Sequence, residues 1–277
     1  MPYSSKGAEG YELAPMENCP IQVKKERLTL KVTEQVKDIY QLPCDITAAY
    51  SLYNPTSSAQ TLSVVFPIVL PDQTRTDAAS LQKILQNSSI LFKNKPVPFQ
   101  SRTLKRGSAA EAALADGLLE RFGNFKGPSH SQGVSPYILL LDFTIDFEPD
   151  ETAELRVCTT MTAYMERSVI FNYYTTNKTY TFYYLFSPAQ YWGSFEDLTV
   201  DLRISAAAPY LTASTPKLWW AGPRRYLYKS AALPKSDLRF TVIIPSWVYP
   251  LRLVGVIILA AAAIRALLWI RQKLWKH

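Results

Sequence analysis

The chain has 277 residues, with 30 Lys and Arg against 23 Asp and Glu. Residues 248–277 hold five of the basic residues and none of the acidic ones, leaving 25 basic against 23 acidic residues elsewhere, a net of +2. Most of the positive charge belongs to the C-terminus, and so small a net charge on the rest argues against nucleic acid as a partner, because phosphate binding needs a concentrated basic surface.

Residues 1–20 contain no apolar core of a secretory signal and read as a lead-in. From Ile21 to Thr33, Leu28, Leu30 and Val32 alternate with Thr29, Lys31 and Thr33, the period of a half-buried strand. In residues 45–66, Ile46, Ala48, Tyr50 and Leu52 share one face, the run Asn54-Pro55-Thr56-Ser57-Ser58 turns, and Leu62, Val64 and Phe66 resume the alternation, which reads as a hairpin. Two short helices are expected within about 77–123. The first runs from a cap at Asp77 through Leu81, Ile84 and Leu85 to Asn87. The second starts at the capping box Ser108-Ala109-Ala110-Glu111 and ends near Gly123. Between them Ile90–Phe92, the turn Lys93-Asn94-Lys95 and Val97–Phe99 suggest a small hairpin.

Tyr137, Leu139, Leu141, Phe143, Ile145 and Phe147 alternate with residues that turn polar at Asp142. After the turn Pro149-Asp150-Glu151, residues Ala153, Leu155, Val157, Met161 and Ala163 form a second inward face. These two segments are expected to pair antiparallel. Residues 171–192 are dense in aromatics, and Tyr180, Phe182 and Tyr184 share the face of one strand. Rigid amphipathic rings suit contact with a sugar or a partner chain, so Tyr173, Tyr183, Tyr191 and Trp192 are the candidate contact residues. Filling the core and rim of a sandwich is the plainer use of the same rings. Further strands are expected around Leu198–Leu202, Leu218–Trp220, Tyr226–Tyr228 and Leu238–Ile244.

From Trp247 the sequence turns apolar, and Leu253–Ile270 is interrupted only by Arg265. As a helix, residues 247–269 would rise roughly 33 Å, about the hydrocarbon thickness of a bilayer, with Trp247, Tyr249, Trp269 and Trp275 at headgroup level. Arg271, Lys273 and Lys276 beyond it favour a cytoplasmic C-terminus and an external domain, which requires an export signal upstream of residue 1. The alternative is a tail-anchored protein facing the cytoplasm. Arg265 lies within snorkelling reach of the interface; with Ala262 and Ala266 it could instead form an intramembrane contact with a partner helix.

The runs Tyr50–Pro67 and Tyr184–Leu202, followed by a terminal span, resemble uncharacterised bacterial exported β-sandwich proteins with a single C-terminal membrane anchor. The resemblance implies an exported sandwich tethered by one helix and carries no functional residue with it.

No catalytic constellation emerges. His130 and His277 are the only histidines, and neither a nucleophile elbow, a phosphate-binding glycine loop nor a zinc cluster is present in the sequence. The acids Asp142, Asp146, Glu148, Asp150 and Glu151 offer oxygen ligands, yet their spacing fits a solvated strand face and a turn better than a calcium site. Cys19 and Cys44 could pair or remain buried thiols. The expected architecture is mainly β, an antiparallel immunoglobulin-like sandwich over 21–246 with two short helical insertions, then one transmembrane helix and a basic tail over 247–277. The expected role is non-enzymatic binding, sensing or scaffolding in the cell envelope, without catalytic residues, cofactor or metal. Its partners are the lipid bilayer and either another membrane protein or a surface glycan. The alternative is an envelope enzyme or accessory domain with a cleft between sheet and helices, where His130 would meet acids such as Asp142.

Overall fold

The computed structural model describes residues 1–6, 12–16, 18–33, 41–70, 78–104, 137–166, 177–206, 210–244, 258, 261–262 and 264–265. The first strands are β1 (Pro2–Lys6), β2 (Glu12–Pro15), β3 (Gln22–Val32), β4 (Gln41–Tyr53) and β5 (Gln60–Leu70). The helix α1 (Ala78–Gln86) precedes β6 (Ser89–Phe92), β7 (Lys95–Pro96), β8 (Gln100–Leu104), β9 (Tyr137–Phe147) and β10 (Thr152–Glu166). The remainder comprises β11 (Lys178–Tyr184), a short 3-10 turn (Ser187–Tyr191), β12 (Ser194–Ile204), β13 (Tyr210–Thr215), β14 (Trp219–Gly222), β15 (Arg225–Ser230) and β16 (Leu238–Ile244).

The described residues are mainly β, in two sheets. One has five strands in the order β2-β1-β5-β9-β8; the other has eleven, running β13-β16-β11-β10-β4-β3-β12-β15-β14, with β6 and β7 attached beside β10. Residues 2–6 and 12–15, which the sequence pattern presents as lead-in, are strands of the smaller sheet, where Pro2 and Tyr3 pair with Val64 and Ser63. The sheets share one core: Leu62, Val64 and Phe66 of β5 and Phe143 and Ile145 of β9 cluster with Leu28, Leu30, Leu155 and Val157 of the larger sheet. Phe66 meets Tyr184 and Phe92 meets Phe147 across the layers, with ring centroids 6.1 and 5.1 Å apart. Each such side chain, fully enclosed, contributes roughly 1.5–3 kcal/mol.

The strand faces follow the alternation in the sequence, but the pairing does not. The segments expected to form a hairpin, β4 and β5, lie in different sheets, and so do β9 and β10. Instead β4 pairs with β10 from Tyr53↔Thr152 to Gln41↔Tyr164, and β5 pairs with β9 from Gln60↔Phe147 to Leu70↔Tyr137. Chain segments 41–70 and 137–166 thus make one long antiparallel ribbon, bent so that its two halves belong to opposite layers.

Asn54 holds the bend. Fully buried, it donates through Nδ2 to the carbonyls of Ser58 and Glu148, at 2.9 and 2.8 Å. Its Oδ1 accepts from the Thr56 amide at 3.1 Å and the Thr56 hydroxyl at 2.7 Å. The Asn54 amide donates to the Glu151 carbonyl and the Asp150 amide to the Thr56 carbonyl, so the two strand crossings are tied to each other. Alternation in sequence reports which face a residue occupies and is blind to such a corner.

A second difference is the pair β3–β12, which is parallel, Gln22↔Ser194 through Val32↔Ile204, in an otherwise antiparallel larger sheet. The first expected helix is present as α1, packed on the larger sheet through Ile84, with Ser88 bonding both Ile84 and Thr159. A small hairpin forms as β6–β7, with its second arm at Lys95–Pro96 rather than the expected Val97–Phe99, turning at Lys93 and Asn94 with φ of 52° and 60°, the left-handed pair of a tight hairpin turn. The second expected helix, at 108–122, lies outside the described residues. Of the expected terminal span, Ile258, Ala261, Ala262, Ile264 and Arg265 are helical and exposed; the rest, Ala266 included, lies outside them. Among the described residues no helix is long and apolar enough to cross a membrane.

Candidate functional site

Two recesses flank the 3-10 turn Ser187–Tyr191. The turn begins under a carboxylate clamp: Asp237 Oδ1 accepts from the amides of Phe186 and Ser187, each at 2.7 Å, and its Oδ2 accepts from the Ser187 hydroxyl at 3.1 Å. Pro188 fixes the start of the turn, which closes where the Trp192 amide donates to the Ala189 carbonyl. The next residue must be glycine. A Cβ on Gly193 would sit 2.6 Å from the Cys19 carbonyl oxygen, and the Gly193 amide donates to the Ile21 carbonyl at 2.8 Å. This close backbone crossing presses the turn against residues 18–21.

On the outer side the crossing leaves an open cleft of about 410 Å³, lined by Met16, Asn18, Cys19, Gln190, Tyr191 and Trp192 with Gly193. Burial pushes the Cys19 thiol up, and Cys19 and Cys44 are free thiols rather than a disulfide. A protonated thiol is a weak nucleophile, so the cleft offers hydrogen bonding from amides and a phenol together with apolar contact, the equipment of a binding site.

On the inner side, between the sheets, lies a chamber of about 30 Å³ bordered by Glu26, Tyr50, Phe66, Tyr184 and Trp192. This admits one or two water molecules. The Tyr184 hydroxyl donates to Glu26 Oε1 at 3.0 Å and lies 3.0 Å from the Tyr50 hydroxyl. Glu26 is only 1% exposed; burial raises its carboxyl to about 7, against the pull of the two hydroxyls. Both phenols are raised well above their ordinary value by burial and by the facing carboxyl. Met1 also borders the chamber, with its ammonium donating to the Val65 carbonyl at 2.8 Å and pushed down to about 5 by burial.

Of the expected contact residues, Tyr191 and Trp192 do meet in the cleft, although Trp192 is 8% exposed and belongs chiefly to the core. Tyr183 is half-buried on the strand face away from the chamber, with the Arg239 guanidinium 5.7 Å over its ring. Tyr173 and His130 lie outside the described residues. Four of the five acids weighed as calcium ligands are engaged separately: Asp142 with Arg102, Asp146 with the Thr61 hydroxyl, Asp150 with the Tyr53 hydroxyl and Glu151 with Lys93. Arg265 and Ala262 are exposed.

Glu26 is the member of the site that the strand pattern passes over. Its signal is nonetheless in the sequence: it occupies an inward position of β3 with Leu28, Leu30 and Val32, where an acid is anomalous.

No protein-family profile matches the sequence, and no curated protein matches it. Among solved structures, a candidate nutrient-binding protein from Legionella pneumophila is similar over 82% of this chain and 68% of its own, with a TM-score of 0.51 and 11% identity. That likeness concerns the fold. A zinc metallopeptidase from Deinococcus radiodurans covers 82% of this chain with a TM-score of 0.32 and 11% identity, and this chain spans 42% of the metallopeptidase. Aminopeptidase A from Legionella pneumophila matches over 82% of this chain and 22% of its own, with a TM-score of 0.31 and 7% identity.

Proposed function

We propose that the protein is a non-enzymatic binding module of the cell envelope, anchored by its C-terminal apolar segment with the β domain outside and the C-terminus in the cytoplasm. The observation that carries the binding half is the cleft at the 3-10 turn. Asn18 and Tyr191 supply hydrogen-bonding groups without a net charge, in a wall that Gln190 and Trp192 complete. Such a wall suits a neutral polar ligand of the glycan or peptide class, held by amide hydrogen bonds and aromatic contact. The anchoring half is supported by the apolar run Leu253–Ile270, and by the exposure of Ile258 and Ile264 at 62% and 59%, side chains that water solvates poorly and lipid well.

The test is a screen of full-length protein in mild detergent against neutral glycans and peptides, repeated with Tyr191→Ala and Gln190→Ala. Saturable binding weakened at least fivefold by either change is expected. Binding unaltered by both, or no binder in either class, would refute the cleft as the site, and multiple turnover of a bound compound would replace binding with catalysis.

A further inference from the structure

The domain's small net charge hides a local concentration. Between Arg203 and Ser236 the sequence contains Lys217, Arg224, Arg225, Lys229 and Lys235 with no Asp or Glu. Its centre is the hairpin β14–β15, which ends the larger sheet. Trp219 and Trp220 stand on β14 at 62% and 72% exposure. Adjacent strand residues point to opposite faces, so both faces of this ribbon present a large ring to solvent. Tyr226 and Tyr228 of β15 pack against the core, while β14, the outermost strand, is exposed on both faces.

The charges are arranged around the rings. The Lys217 ammonium lies 5.2 Å from the Trp219 ring centroid, and Lys217, Arg224 and Lys229 are exposed at the ends and flank of the hairpin. Arg225 instead anchors the hairpin, with Nε 2.9 Å and Nη2 3.0 Å from the carboxylate of Asp201, which Arg203 also holds. The Ile204 amide donates to the Arg224 carbonyl and fixes the turn to the sheet. The result is a rigid, two-sided indole wedge with a cationic rim.

We propose that this hairpin is a membrane-surface element that enters the headgroup layer of an anionic bilayer edge-on, its tryptophans at the interface and Lys217, Arg224 and Lys229 against lipid phosphates. Indole is the side chain best suited to that boundary, where one end meets hydrocarbon and the other water, and each basic side chain near an anionic leaflet adds roughly fivefold to binding. The ring on each face fits immersion in a fluid layer better than docking on a flat protein surface, which would leave one indole in water. The contact is independent of the terminal apolar segment, since it rests on a different part of the chain.

Full-length protein reconstituted into vesicles of phosphatidylcholine, with or without phosphatidylglycerol and carrying brominated lipid, tests this through tryptophan quenching. The difference between wild type and the double variant Trp219→Phe/Trp220→Phe isolates the hairpin; with Trp192 enclosed at 8% exposure, the quenching left in the variant reports Trp247, Trp269 and Trp275 and so tests the anchor separately. A hairpin-specific quenching component is expected in the anionic vesicles, reduced at least fivefold by Lys217→Gln/Lys229→Gln or by raised salt. Indoles at 219 and 220 that stay unquenched in anionic vesicles, whether or not the terminal tryptophans are quenched, would overturn the proposal. Equal quenching in neutral vesicles would overturn its electrostatic part.

Discussion

Asn54 at the bend and Glu26 in the chamber are equally shut away from water, at 0% and 1% exposure, yet the fold treats them differently. Asn54 has both amide hydrogens and its carbonyl matched by neighbours already tied to the corner, and carries no charge at any pH. Glu26 is pushed up by burial more than the two phenol hydroxyls and the Met1 ammonium pull it down, so it is most at ease while it keeps its proton. The first arrangement specifies shape; the second makes shape depend on acidity. Asp201 of β12 shows a third treatment: burial alone would raise its carboxyl, but Arg225 and Arg203 hold it below the usual range.

Breaking the corner should have the largest effect. Asn54→Ala removes four hydrogen bonds, which at about 1 kcal/mol each predicts a loss of about 4 kcal/mol in denaturant unfolding. A loss below about 1 kcal/mol would mean that the ribbon bends without this hub.

The chamber should reveal itself through pH. Between about 4.5 and about 7 native Glu26 keeps a proton that the unfolded chain has released, so its contribution falls as pH rises, by about 3 kcal/mol across the window, and is level above it. The Met1 amino group, pushed down to about 5, works in the opposite direction between about 5 and 8. The measurement is therefore the difference between wild type and Glu26→Gln, which removes the carboxyl's share and alters the amine's only through the coupling between the two groups. The Gln variant should gain on wild type with rising pH over that window, and a flat difference would show that Glu26 is ionised throughout.

Asp201→Asn should cost only about 1 kcal/mol, because both arginine partners are about half exposed and water compensates them. That loss should appear at neutral pH and vanish as acid protonates the native carboxyl in wild type. Trp219→Ala and Trp220→Ala should change stability by less than about 0.5 kcal/mol each in the absence of lipid, as befits side chains that fill no core. A larger loss in a thermal melt would reassign them to packing.

Much of this is readable from alternation alone. Tyr50 shares the inward face of β4 with Ile46, Ala48 and Leu52, and Tyr184 that of β11 with Tyr180 and Phe182, so the two-residue period already puts two members of the chamber on the correct faces. Glu26 is equally legible, in register with Leu28 and Leu30, but an average over the strand conceals one anomalous position. Strand partners are not legible, because the bend at Asn54 depends on residues 148–151 from a distant part of the chain. The cleft is half visible: Tyr191 and Trp192 advertise themselves, whereas Asn18 and Cys19 reach them through a backbone crossing that only the absence of a side chain at Gly193 permits. The basic hairpin disappears when charge is summed over the domain and emerges only when it is followed along the chain.

The bent ribbon also dictates when the protein can fold. During synthesis β3 and β4 can zip together early, but the inner edges of β4 and β5 wait for residues 137–166, and β3 waits for β12 at residues 194–204. Closing loops of roughly a hundred residues is slow chiefly because so much chain entropy is lost before the contacts repay it. The nascent chain must therefore carry unpaired, apolar strand edges for most of its elongation, and both layers then assemble together late, once the second half of the ribbon has emerged.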